Sequence, residues 1–261
     1  MRSPLVSFTL LFLPIPALAQ LAAPGASGVR MGHVHLHSKN PAAQARFWTE
    51  VMGAQTAKLG PMDAYKLPGV VVLVQKIDPS GGTDGSVVNH VGFKVRDLSA
   101  MLAKIDAAQF KVLTKNDQQV MFLGPDELKV ELTADPTLSD PVVSHHIHFY
   151  TSSVGEMQKW YAETFGAIPG KRGRFEAADL PGVNLTFAAS SGSPPTGTKG
   201  RSLDHIGFEV NDLEAFCRKL EAGGTKFDLT YRKIPQLGIA IAFLTDPWGT
   251  YIELTEGLDK L

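Results

Sequence analysis

Apolar and polar residues alternate with a period of two in several short runs of the chain, the pattern of a strand with one lined face. Val34 to His37 interleaves histidine with apolar residues, and His90 to Val95 is strand-like too. Further strand-like runs fall at Val70–Gln75, Phe110–Thr114, Gln119–Leu123 and Leu128–Thr133, parted by turn residues such as Gly124-Pro125-Asp126. Between them the spacing turns helical. Ser38 or Asn40 can cap a helix that takes Pro41 into its first turn and stops at Gly53. Asp97 caps a second, whose stripe is Leu98, Met101, Leu102 and Ile105.

This order occurs more than once. Residues 31–133 can be laid over 144–255 with few gaps. His33 aligns with His146, Arg46-Phe47-Trp48-Thr49-Glu50 with Lys159-Trp160-Tyr161-Ala162-Glu163, and Leu67-Pro68-Gly69-Val70 with Leu180-Pro181-Gly182-Val183, all at one offset. The register slips a little for His90 with His205, and more for Glu131 with Glu253, so length differences fall in loops. Each repeat divides again into halves that begin strand then helix. The sequence therefore predicts an N-terminal linker over 20–30, a domain over 31–133, a proline-bearing linker over 134–143 and a second domain over 144–256.

With 261 residues, 44% hydrophobic and 20% charged, the chain is long enough for two modest globular domains. Lys and Arg number 25 against 26 Asp and Glu, a net charge of −1 without a basic run, which argues against nucleic acid and for a small-molecule partner. Arg2, the apolar stretch Leu5 to Ile15 and then Ala17-Leu18-Ala19 have the three parts of an export signal, over residues 1–19. The apolar run is well short of the ~20 residues that span a bilayer, and Pro14 and Pro16 break it. The expectation is a periplasmic or extracellular protein that leaves the membrane on cleavage. Cys217, the single cysteine, precludes an intrachain disulfide and reads as a small buried thiol on a helix.

The chemistry lies in the eight histidines, which fall in two matched sets, each followed by a glutamate between apolar residues. The first runs through His33-Val34-His35-Leu36-His37, Asn89-His90-Val91-Gly92-Phe93 and Val130-Glu131-Leu132. The second runs through His145-His146-Ile147-His148-Phe149, Asp204-His205-Ile206-Gly207-Phe208 and Ile252-Glu253-Leu254. Two histidines and a carboxylate can hold a divalent metal and leave positions open for substrate. His33, His90 and Glu131, with His146, His205 and Glu253, are the candidate ligands. The spacing leaves open whether each site forms within one repeat or by exchange, such as His33 and Glu131 with His205. His35 and His148 share the strand face of a ligand two residues earlier, which makes them candidate acid–base residues. His37 and His145 fit neither set well and read as peripheral.

At these residues the chain resembles the vicinal oxygen chelate superfamily, which includes glyoxalase I, fosfomycin-resistance transferases, bleomycin-binding proteins and extradiol dioxygenases. The resemblance extends to the helix ends Phe47-Trp48-Thr49-Glu50-Val51-Met52-Gly53 and Trp160-Tyr161-Ala162-Glu163-Thr164-Phe165-Gly166. It also takes in Asp246-Pro247-Trp248-Gly249-Thr250-Tyr251-Ile252-Glu253, close to the family's Asp-Pro-x-Gly turn before its ligand glutamate. It implies an α+β fold of tandem paired βαβββ modules, their curved mixed sheets forming cups around Fe(II), Mn(II) or Zn(II). It also implies a substrate chelated through two neighbouring oxygens, and allows an oligomer.

The chain departs from each branch of the family. The acidic fourth ligand of glyoxalase I-like members has no counterpart in Val70–Gln75 or Val183–Phe187, and the glutathione they use is scarce outside the cell. Phe243 and Ile234 stand where extradiol dioxygenases place tyrosine and histidine. Fosfomycin-type transferases need cations, of which the tail after Glu253 offers only Lys260. Dioxygenase-like chemistry with His148 or His35 as the acid–base residue is the favoured expectation. A glyoxalase-like lyase or isomerase, and a metal-free binding protein of the bleomycin-resistance type, are the alternatives.

Overall fold

The computed structural model describes residues 20–261; the expected export signal at residues 1–19 lies outside the described residues. The described chain runs through four successive βαβββ modules. The first comprises β1 (Val29–His37), α1 (Pro41–Arg46), β2 (Gln55–Leu59), β3 (Met62–Leu67) and β4 (Val70–Gln75). The second comprises β5 (Val88–Val95), α2 (Leu98–Ala107), β6 (Lys111–Lys115), β7 (Gln119–Leu123) and β8 (Lys129–Ala134). The third comprises β9 (Val142–Thr151), α3 (Val154–Phe165), β10 (Ile168–Arg172), β11 (Phe175–Leu180) and β12 (Val183–Ala189). The fourth comprises β13 (Leu203–Val210), α4 (Leu213–Ala222), β14 (Leu229–Ile234), β15 (Ile239–Thr245) and β16 (Tyr251–Glu256).

Local chemistry sets the ends of these elements. The Asn40 carboxamide accepts from Ala43 N–H and Pro41 opens α1, as its sequence predicts. The helix does not stay α-helical to Gly53: from Phe47 to Val51 it widens into a π-helical turn. The adjacent Phe47 and Trp48 are both buried there, together with Val51. The equivalent α3 runs unbroken to Phe165 and is closed by Gly166 at φ 72°, a left-handed cap that glycine adopts without strain.

Two mixed eight-stranded sheets result, and neither is made from one sequence repeat. One has the order β14-β15-β16-β13-β1-β4-β3-β2, the other β10-β11-β12-β9-β5-β8-β7-β6. The first module thus pairs with the last through antiparallel β1 and β13, and the middle two pair through β5 and β9. The matched Leu-Pro-Gly-Val turns tie the sheets together. Pro68 C=O accepts from Ser144 N–H at 2.9 Å, and Pro181 C=O accepts from Met31 N–H at 2.9 Å. Each turn thereby docks on the first strand of the other repeat, in the opposite sheet. Between the layers lies one large apolar cluster, in which Trp48, Phe122, Phe149, Tyr161 and Phe187 are fully buried. Each such side chain contributes roughly 1.5–3 kcal/mol of burial free energy.

Candidate metal centre

The antiparallel register of β1 on β13 sets His35 opposite His205 and His33 opposite Gly207, while parallel pairing sets Gly207 beside Glu253. Three side chains converge in consequence. Nε2 of His33 and Nε2 of His205 each lie 2.9 Å from the same oxygen, Oε2 of Glu253. All three residues are buried. Gly207 makes the room: a Cβ there would sit 2.0 Å from the His33 ring.

Asp204 fixes the tautomer at this site. Its Oδ2 lies 2.7 Å from His205 Nδ1, and a carboxylate only accepts, so Nδ1 carries the proton. With Nδ1 protonated, His205 Nε2 donates to Glu253 Oε2 when it carries a proton, and offers its lone pair to a cation when it does not. Burial opposes charge on His205, but Asp204 and Glu253 outweigh it and raise the imidazole above its usual range. Burial likewise opposes ionisation of Glu253, yet hydrogen bonds from His205 and His33 hold its carboxyl far below the usual range. Three buried, convergent, electron-rich donors fit a divalent metal. The three lie within 4.8 Å of one another.

Above these donors opens a cavity of about 340 Å³. Leu59, Leu73, Ile234, Ile241, Phe243 and Leu258 form much of its wall, and among the described residues no lysine or arginine lines it. Leu258 is held by a buried carboxylate: Glu209 Oε1 accepts from Gly257 N–H at 2.7 Å and from Leu258 N–H at 3.1 Å. At the polar end lie His35, His37 and Tyr251. His35 stacks on His205 with ring centroids 4.4 Å apart, and its Nε2 has no hydrogen-bond partner. Burial, then the neighbouring His205 and His33, push its imidazole down to about 3, so it is neutral at pH 7.

The second constellation differs. β5 on β9 brings His90 opposite His148 and Gly92 opposite His146, and Glu131 lies beside Gly92 on β8. A Cβ at Gly92 would sit 1.8 Å from the His146 ring. Here the histidines approach each other, Nε2 to Nε2 at 3.3 Å, while the carboxylate stands back, 3.5 Å from His90 and 3.7 Å from His146. Arg172 explains the offset: its Nη2 donates to Glu131 Oε1 at 2.9 Å, and Gln119 Nε2 and Thr133 Oγ1 donate to the same oxygen at 3.3 and 3.2 Å. Burial alone would raise the Glu131 carboxyl, but the His90 hydrogen bond and the nearby His90 and Arg172 charges bring it down to about 2. The ring nitrogens of His148 are unpartnered, and burial with nearby His90 and Arg172 lowers its imidazole to about 3.

The candidate ligands therefore gather by exchange between repeats, though not in the combination His33 and Glu131 with His205. His33 joins His205 and Glu253; His146 joins His90 and His148, their ring nitrogens within 4.8 Å of one another, with Glu131 held aside. His37, read from its spacing as peripheral, lines the cavity, its Nδ1 3.7 Å from Asp204. His145, read the same way, packs behind His146 with their Nδ1 atoms 3.1 Å apart. Sequence reasoning passed over Asp204, Tyr251, Arg172 and the two glycines. The paired His-x-Gly patterns at His90-Val91-Gly92 and His205-Ile206-Gly207 were the available signal for the glycines.

Residues 143–254 match the family described as Glyoxalase/Bleomycin resistance protein/Dioxygenase superfamily. No curated protein matches the chain. Among solved structures, that of glyoxalase I from Zea mays aligns over 89% of this chain and 94% of its own, with a TM-score of 0.69 and 14% identity. A putative dioxygenase from Bacillus subtilis aligns over 87% and 85%, with a TM-score of 0.65 and 14% identity. The cppA protein from Streptococcus pneumoniae aligns over 86% and 96%, with a TM-score of 0.50 and 12% identity. At such identities the likeness is one of fold.

Proposed function

We propose, for a chain whose residues 143–254 match the glyoxalase/bleomycin resistance protein/dioxygenase superfamily and whose βαβββ module repeats over its described length, a metal-dependent enzyme acting on a small neutral molecule through two neighbouring oxygens. We place it outside the cytoplasm, following the export signal in its sequence. The observation that carries the reading is the convergence of His33 and His205 on one oxygen of Glu253 beside a largely apolar cavity. Bound by these three residues, a divalent ion such as Fe(II), Mn(II) or Zn(II) supplies Lewis-acid stabilisation of charge developing on the substrate oxygens.

The chain's own residues account for the rest. Asp204 holds the His205 ring in orientation and tautomer. Leu59, Leu73, Ile241 and Phe243 exclude water and receive an apolar body, such as an aromatic ring. His35, neutral, lining the cavity and with a buried, unpaired Nε2, is the candidate to take or return a proton at a substrate oxygen. Among the described residues the wall offers no lysine or arginine for an anionic thiol cofactor or phosphonate, which weighs against the lyase and transferase readings. A glyoxalase I and a putative dioxygenase are among its structural neighbours. Of these two chemistries, the wall favours a dioxygenase acting on an uncharged catechol-like substrate.

Oxygen consumption by the Fe(II)-loaded protein with uncharged catechols tests this reading. The expected outcome is turnover that disappears in Glu253→Ala. Tight catechol binding without turnover by the loaded protein would instead favour a sequestering protein.

A further inference from the structure

The two constellations occupy equivalent places in the fold, and comparing them position by position shows a substitution with a charge. β2 ends on Leu59 and β10 ends on Arg172, at the same offset that aligns His33 with His146. In the strand register Leu59 faces Met62 as Arg172 faces Phe175. A second pair behaves alike. Ile241 faces Thr255 two residues beyond Glu253, and Gln119 faces Thr133 two residues beyond Glu131. Leu59 and Ile241 are apolar wall of the cavity at Glu253. Their counterparts Arg172 and Gln119 both donate to Glu131.

We propose that Arg172 closes the His90, His146 and Glu131 site to metal: its guanidinium stands in for the divalent cation, and the chain holds a single metal, at His33, His205 and Glu253. The inference rests on the metal-binding reading above and divides the two sites whose His, His and Glu positions the repeat duplicates. Glu131 Oε1 accepts from Arg172, Gln119 and Thr133 at once, which saturates that oxygen. A fixed positive charge beside the carboxylate opposes the arrival of a second cation in a buried site. No such donor reaches Glu253, whose Oε2 meets only the two imidazoles among the described residues.

The test is metal stoichiometry of the full-length mature protein, stripped and dialysed anaerobically against Co(II) or Zn(II), with folding followed by circular dichroism. Wild type is expected to bind one equivalent, lost in Glu253→Ala and retained in Glu131→Ala. Arg172→Leu, which installs the residue found at the equivalent position of the other site, is expected to bind two, and Arg172→Leu with Gln119→Ile likewise. Two equivalents in wild type would overturn the proposal, whether the second is lost in Glu131→Ala or is held by His90, His146 and His148 without it, as would one equivalent in both folded Arg172 variants. If Arg172→Leu does not fold, Arg172→Gln keeps a donor for Glu131 without the charge, and a gain of metal there upholds the charge argument while no gain overturns it. Wild type without metal would defeat the functional reading instead. In that event one equivalent gained by Arg172→Leu, and removed again by Glu131→Ala, would still uphold the closure by Arg172, and no gain would overturn it.

Discussion

Gly207 and Gly92 stand where any side chain would strike an imidazole, with a Cβ 2.0 Å from the His33 ring in one case and 1.8 Å from the His146 ring in the other. Gly207→Ala should displace His33, so metal affinity measured by chelator competition is expected to fall at least about tenfold while the far-ultraviolet spectrum stays native. Gly92→Ala disturbs only His146, and metal content should not change. Asp204→Asn keeps the shape of the residue behind His205 but weakens the hold on its ring; affinity should fall on the order of 10–100-fold. Unchanged affinity in Asp204→Asn would remove Asp204 from the account. The candidate ligands were legible in the sequence because a glutamate between Ile252 and Leu254 is conspicuous in an apolar strand. The glycines and Arg172 act across strands that are distant in sequence, and no spacing along one strand reveals them.

The elements carry their own polar ties. Tyr161 on α3 donates to Asp246 Oδ2 at 2.9 Å, while Asp246 Oδ1 accepts from the Trp248 and Thr250 N–H groups and so shapes the turn before β16. Tyr161→Phe leaves a buried carboxylate oxygen short of a partner and should destabilise the fold by about 1–3 kcal/mol in denaturant titration, with metal content unchanged. The Glu131–Arg172 tie gives a pH signature. Burial opposes ionisation of its carboxyl, but His90 and then Arg172 depress it to about 2 in the folded chain, so the stabilisation, of which Arg172 supplies a part, is complete above the ordinary glutamate range and is lost as pH falls through that range toward about 2. The stability gap between wild type and Arg172→Leu should therefore narrow on acidification; a gap that widened would contradict the ion pair. Strands such as β5, β7 and β8 were readable from alternation or apolar content. Strand β10, with four exposed residues in Ile-Pro-Gly-Lys-Arg, had no such pattern and emerges only from pairing with β11.

For the whole molecule, the repeat of 31–133 on 144–255 was plain in the sequence, but the partnering of its halves was not. Alignment reports which segments are alike; it does not report which edges meet, and β1 meets β13 rather than β5. Residues 20–135 produced alone would leave β1 and β5 as open edges. That fragment is expected to aggregate or self-associate on size exclusion, and co-production with 136–261 to restore one metal equivalent; a well-behaved monomeric fragment would contradict the interleaved assembly. The same interleaving moved His33 away from His90 and Glu131, which the order of the chain had grouped with it.

The most direct measurement is anomalous diffraction at the metal edge from crystals of the protein grown with Fe(II) or Zn(II). A peak in bonding contact with Nε2 of His33, Nε2 of His205 and Oε2 of Glu253, and none beside Arg172, is the predicted result. A map without a peak at those three atoms, from crystals soaked at saturating metal, would contradict the account.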